Sequence, residues 1–163
     1  MKQSSHSDFQ LKVMVIDDSE PAANMLRARI EHMVPDVQVD INLSPEVAEG
    51  YHIYFIDNDF HGKRHGLRLL QKVQDVAPQA MIVSFSAHLD DELLKKMVNR
   101  GCDAVLDKTS PGDFDDVLLC LQNYVSYLKH QGTPVEQMRF IGLVDSLRDL
   151  LREWNKRLEK DVA

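Results

Sequence analysis

Five side chains could do chemistry together in this sequence: Asp17, Asp18, Asp57, Ser86 and Lys108. Three carboxylates gathered in one place repel one another, and hard oxygen donors of this kind are what a Mg²⁺ ion takes, usually with waters and phosphate oxygens. A lysine ammonium is a compact cation that pairs with phosphate, and a serine hydroxyl can donate to a phosphate oxygen. The set suits a phosphoryl group. No Gly-rich phosphate loop accompanies it, because Gly62 and Gly66 fit neither GxxxxGK[ST] nor GxGxxG, so nucleotide binding has no support.

These residues meet only if the elements that carry them end at one edge. Residues 11–16 (LKVMVI) form an apolar run that stops at Asp17 and Asp18, as a buried strand does when it delivers carboxylates to its C-terminal end. Ser19 is placed to cap a helix with Pro21 in its first turn and Ala22, Leu26, Ile30 and Met33 at helical spacing, ending at Pro35. Residues 37–43 (VQVDINL) alternate as a half-exposed edge strand does. Residues 44–50 then leave space for barely two turns of helix before a strand at 51–56 (YHIYFI) stops at Asp57.

The stretch 58–66 reads as a loop with two glycines, and a helix follows over 67–77 with Leu67, Leu70 and Val73 on one face. A buried strand at 80–85 (AMIVSF) ends at Ser86, and Ser84, the rival hydroxyl, is assigned to the opposite face of that strand. A helix over 90–100 closes at Gly101, a short strand at 104–107 ends at Lys108, and an amphipathic helix is expected over 110–129. Strands alternating with helices imply an α/β fold: a doubly wound, five-stranded parallel sheet, whose ligands sit at the carboxyl ends of the strands. Asp17, Asp18, Asp57, Ser86 and Lys108 all stand at those ends.

In order and context these five residues resemble the receiver domain of two-component response regulators, over about residues 10 to 130, and the resemblance implies a sheet of flavodoxin-like type. The resemblance implies that Asp57 accepts a phosphoryl group from a histidine kinase or phosphotransfer protein. It also implies that Asp17, Asp18 and Asp57, with the backbone carbonyl of Asp59, hold Mg²⁺, and that Ser86 and Lys108 contact the phosphoryl oxygens. Asp59 and His88 occupy positions that tune hydrolysis of the acyl phosphate in the family. Such a domain phosphorylates and dephosphorylates itself and is not an enzyme acting on other substrates. The chain departs from the family pattern in four places: Thr109 follows the lysine where proline is usual, Val105 stands where an aromatic residue is usual, the second helix is cut to 44–50, and the loop after Asp57 reads NDFHGKRHG without proline. An alternative is a degenerate receiver that binds or dimerises without phosphorylation. The Asp57 and Asp59 pair also fits the DxD pattern of haloacid-dehalogenase-type phosphatases, although that nucleophilic strand belongs near the N-terminus.

The other residues give little. His61 and His65 read as solvent-exposed loop histidines, and Cys102 and Cys120, outside any metal-binding spacing, as reduced structural thiols. The chain has 163 residues and a net charge of -7, from 19 Lys and Arg against 26 Asp and Glu, which argues against nucleic acid or an anionic membrane as partner. No apolar run approaches the roughly 20 residues that span a bilayer, and the first ten residues are polar, so a cytoplasmic protein is expected. We expect a disordered start (1–10), a receiver domain (11–131) and a helical extension (132–163). In that extension Phe140, Val144, Leu147, Leu151, Trp154 and Leu158 repeat at heptad spacing, which leaves two readings: a helix folded back on its own receiver domain, or an interaction helix for a homodimer or a downstream protein. With no effector domain in view, output is expected through protein contacts.

Overall fold

A computed structural model of the chain describes residues 10–34 and 36–109, together with Arg152 and Lys156. The apolar runs become strands β1 (Lys12–Ile16), β2 (Gln38–Asn42), β3 (Ile53–Asp57), β6 (Met81–Ser86) and β7 (Ala104–Asp107) of one sheet, ordered β2-β1-β3-β6-β7 and parallel throughout. β3 and β6 are buried along their whole length, as strands covered on both faces must be. β2, at the edge, is only half-buried, which its alternating sequence requires.

Side-chain alternation splits the core into two layers. Val13, Val15, Phe55 and Val83 face Ala23, Leu26 and Ile30 of α1 (Glu20–Met33). Met14, Ile16, Tyr54, Ile56, Ile82 and Val105 face α2 (Gly66–Val76) and α3 (Asp91–Asn99), which contribute Leu69, Leu70, Val73, Leu93, Leu94 and Met97. The helix starts are chemically marked: Ser19 Oγ accepts from the Ala22 amide and Asp90 Oδ1 from the Leu93 amide at 2.7 Å. Gly101, at φ 89°, ends α3 in the left-handed conformation that a side chain would resist.

Two connections differ from the sequence reading. Residues 44–50 hold no helix. Asn42 Oδ1 instead accepts from the amide and hydroxyl of Ser44, Asn42 Nδ2 donates to the Glu46 carbonyl at 3.0 Å, and the Tyr54 hydroxyl donates to the Ala48 carbonyl at 2.7 Å. Fewer than two turns of helix cannot repay nucleation on their own, and these longer-range bonds offer the backbone a better bargain as an irregular strap. The second difference is a hairpin after Asp57, where β4 (Asp59–Phe60) pairs antiparallel with β5 (Lys63–Arg64). His61 and Gly62 both have positive φ, 49° and 76°, as a two-residue type I′ turn demands.

The helix expected over 110–129 and the heptad residues Phe140, Val144, Leu147, Leu151, Trp154 and Leu158 lie outside the described residues, as does Cys120. Arg152 and Lys156 are helical and exposed. Among the described residues, no helix is long and apolar enough to cross a membrane.

Candidate functional site

The carboxyl ends of β1, β3, β6 and β7 converge as their order in the sheet requires. Asp17 follows β1, and its amide continues the ladder to the Asn42 carbonyl at 3.1 Å, which fixes the side chain over the sheet edge. Its carboxylate is fully buried: Oδ1 accepts from the Ser19 amide at 2.9 Å and Oδ2 lies 3.0 Å from Lys108 Nζ. Asp57, the last residue of β3, is 4% exposed, with Oδ2 3.2 Å from the same ammonium. Its Oδ1 is buried and has no hydrogen-bond partner among the described residues.

Burial pushes the Asp57 carboxyl up from 3.8 to about 6, against the pull of Lys108 and with the negative charge of Asp17 adding to the rise. One lysine is thus shared between two buried acids. Oxygens of Asp17, Asp18 and Asp57 all lie within 4.8 Å of one another. An orphaned buried oxygen beside two further hard donors fits a divalent cation, and these three residues could hold one.

The remaining expected residues are placed as follows. Ser86 is fully buried at the end of β6, its hydroxyl donating to Asp59 Oδ2 at 3.3 Å and accepting from the His88 amide at 3.2 Å. Asp59 therefore turns its carboxylate to Ser86 and away from the three-acid cluster. His88 reaches the site through its backbone, while the residue as a whole is exposed. Lys108 continues the β6–β7 ladder, its amide bonding the Ser86 carbonyl at 3.0 Å, and its ammonium lies 4.6 Å from the centre of the Phe85 ring. Ser84 is paired with Ile56 and Val105, so it shares the face of Ser86; side chains two apart point the same way, and its assignment to the opposite face is corrected.

His61 was read as an exposed loop residue, and its side chain is 82% exposed. It is nevertheless engaged: its amide donates to Asp18 Oδ2 at 2.7 Å and its Nδ1 lies 3.1 Å from the same oxygen. His65 is half-buried, edge-on to Phe60. The signal that would have found the hairpin is the His-Gly pair between two residues on either side that can pair.

No protein-family model and no curated protein matches the chain. Solved structures do. A receiver domain protein from Methanospirillum hungatei superposes with a TM-score of 0.60 at 16% identity, over 76% of this chain and 100% of that one. The BeF₃-activated DrrB receiver domain gives 0.58 at 18% identity, over 74% and 99%. A response regulator from Burkholderia pseudomallei, solved with a phosphorylated aspartic acid and a calcium ion, gives 0.57 at 21% identity, over 78% and 75%.

The chain has the receiver-domain fold. Two departures from the usual receiver pattern now have a structural form. Val105 is completely buried beneath α2 and α3. Thr109, in place of proline, returns both its amide and its hydroxyl to Asp107 Oδ1, at 2.7 and 2.6 Å, and so makes a polar turn directly after Lys108.

Proposed function

We propose that this receiver domain is a phosphorylation-dependent signalling switch that takes a phosphoryl group on Asp57 from a histidine kinase or phosphotransfer protein and signals through protein contacts. The observation that carries it is the setting of one carboxylate: Asp57 is buried at the end of β3, paired with Lys108 at 3.2 Å and within 4.8 Å of oxygens of Asp17 and Asp18. In the transfer one oxygen of Asp57 attacks phosphorus as the donor's own bond to phosphorus breaks, a step governed by positioning and charge neutralisation. Asp17, Asp18 and Asp57, with the Asp59 carbonyl, are the proposed holders of Mg²⁺, which when bound neutralises carboxylates and phosphoryl oxygens. Lys108 supplies the fixed positive charge, and Ser86 donates its hydroxyl to a phosphoryl oxygen after giving up Asp59. Asp59 and His88 set the phosphate lifetime by shaping access for water. The proposed location is the cytoplasm, with the heptad helix as a contact for a second copy or a downstream protein.

The test is acyl-phosphate formation from a small phosphodonor with Mg²⁺. A single phosphate by mass, absent without the metal and absent in Asp57→Asn, is expected. A phosphate that persists in Asp57→Asn overturns the assignment. Buried Val105 favours a second reading, a module that binds partners without taking phosphate, since no aromatic ring stands at that position to turn with the chemistry. An unmodified wild-type mass under the same conditions selects it.

A further inference from the structure

Arg64 lies outside the five residues of the site, across the hairpin from Asp59. Phe60 pairs with Lys63, and the His65 amide donates to the Asn58 carbonyl at 2.8 Å, so Asp59 and Arg64 between them form a non-hydrogen-bonded cross-strand pair. In such pairs the two side chains share a face and approach most closely, with Cβ atoms about 4.5–5.5 Å apart. Asp59 uses that face to reach Ser86 Oγ at 3.3 Å. The arginine stem therefore starts on the same face as the Asp59 side chain that holds Ser86.

Its present partner is weak. Arg64 Nη2 lies 3.2 Å from Asp90 Oδ2, but the two side chains are 62% and 51% exposed, and an exposed pair of this kind contributes little. Asp90 does not depend on it, because its other oxygen caps α3 through the Leu93 amide. A phosphoryl group offers two or three oxygens and more charge to a planar guanidinium than one solvated carboxylate does. The hairpin itself is pinned, by His61 on Asp18 and by close packing of Gly66 on Asn58, so only the side chain has to move.

We propose that Arg64 is a phosphoryl-contacting residue that exchanges Asp90 for the phosphoryl oxygens when Asp57 is modified. The inference rests on the acceptor reading above. The exchange also frees Asp90 at the start of α3, so phosphorylation changes the charge of that surface without any rotation at Val105.

Binding of beryllofluoride in the presence of Mg²⁺, followed by calorimetric titration, tests it. Arg64→Gln should weaken binding about five-fold and Arg64→Lys should recover part of the loss, the size expected of one exposed charge-assisted contact. Asp90→Asn keeps the helix cap and removes the competitor, so it should tighten binding. Opposite signs for the two variants are the signature of exchange. Loss of affinity in both, or wild-type affinity in Arg64→Gln, overturns the proposal and leaves Arg64 as a tie between hairpin and helix. No binding by the wild-type protein overturns the acceptor reading itself, and this inference with it.

Discussion

Lys108 Nζ stands 3.2 Å from Oδ2 of Asp57, while the other oxygen of that carboxylate is buried without a hydrogen-bond partner among the described residues. The lysine also pairs with Asp17, and its pull on Asp57 does not offset burial. Removing the Asp57 charge should therefore stabilise the metal-free fold. Asp57→Asn is expected to raise stability by on the order of 1–2 kcal/mol near neutral pH, read by denaturant or thermal unfolding in a chelator. A less stable variant would mean that Lys108 outweighs burial.

The pH dependence has a defined direction. Asp57 is raised from 3.8 to about 6, so its neutral form is favoured by folding; its contribution to metal-free stability is full below pH about 4 and is lost as pH rises through about 6. Affinity for Mg²⁺ should run the opposite way and strengthen across the same window, because the metal needs the carboxylate. Thermal unfolding with and without Mg²⁺ over this range should show two curves diverging as pH rises, and Asp57→Asn should flatten both. Parallel curves in the wild type would refute the assignment.

Val105 has no exposed surface and sits among the α2 and α3 side chains. A ring at this position has nowhere to go, and Val105→Phe should cost about 1–3 kcal/mol through overpacking. Equal stability of the variant, measured by urea unfolding, would show that the layer can open for an aromatic residue.

Gly66 tests the hairpin anchor. A Cβ there would come within 2.5 Å of Asn58 Oδ1 and 3.3 Å of Asn58 Cα, next to the acceptor. Gly66→Ala should both destabilise the fold, by about 1–3 kcal/mol, and weaken binding of Mg²⁺ with beryllofluoride. A variant that loses stability alone would uncouple the anchor from the site.

The strand ends were legible in the sequence because buried parallel strands are continuous apolar runs, and the charge that ends each run is conspicuous. Asp17, Asp57, Ser86 and Lys108 needed no more than that. Their partners were not legible. Asp59 turns to Ser86 and His61 to Asp18 through a hairpin whose strands are two residues each, too short for any periodicity to register. The strap over 44–50 is not a helix because its fate is decided by side chains outside it, Asn42 bonding the Glu46 carbonyl at 3.0 Å and the Tyr54 hydroxyl the Ala48 carbonyl at 2.7 Å, and not by its own composition. Ser84 was misassigned by a slip of parity that the β6 register corrects.

A second tyrosine contact bears on self-association. β2 is an edge strand, and an edge offers unpaired amides and carbonyls to any passing strand. Asp40, at the middle of that strand, accepts from the Tyr51 hydroxyl and from Gln38 Nε2, both at 2.8 Å, so a charged side chain is tied down on it. A strand adding here would bring its side chains beside a half-buried carboxylate already held by two bonds, and charge on an edge strand disfavours such growth.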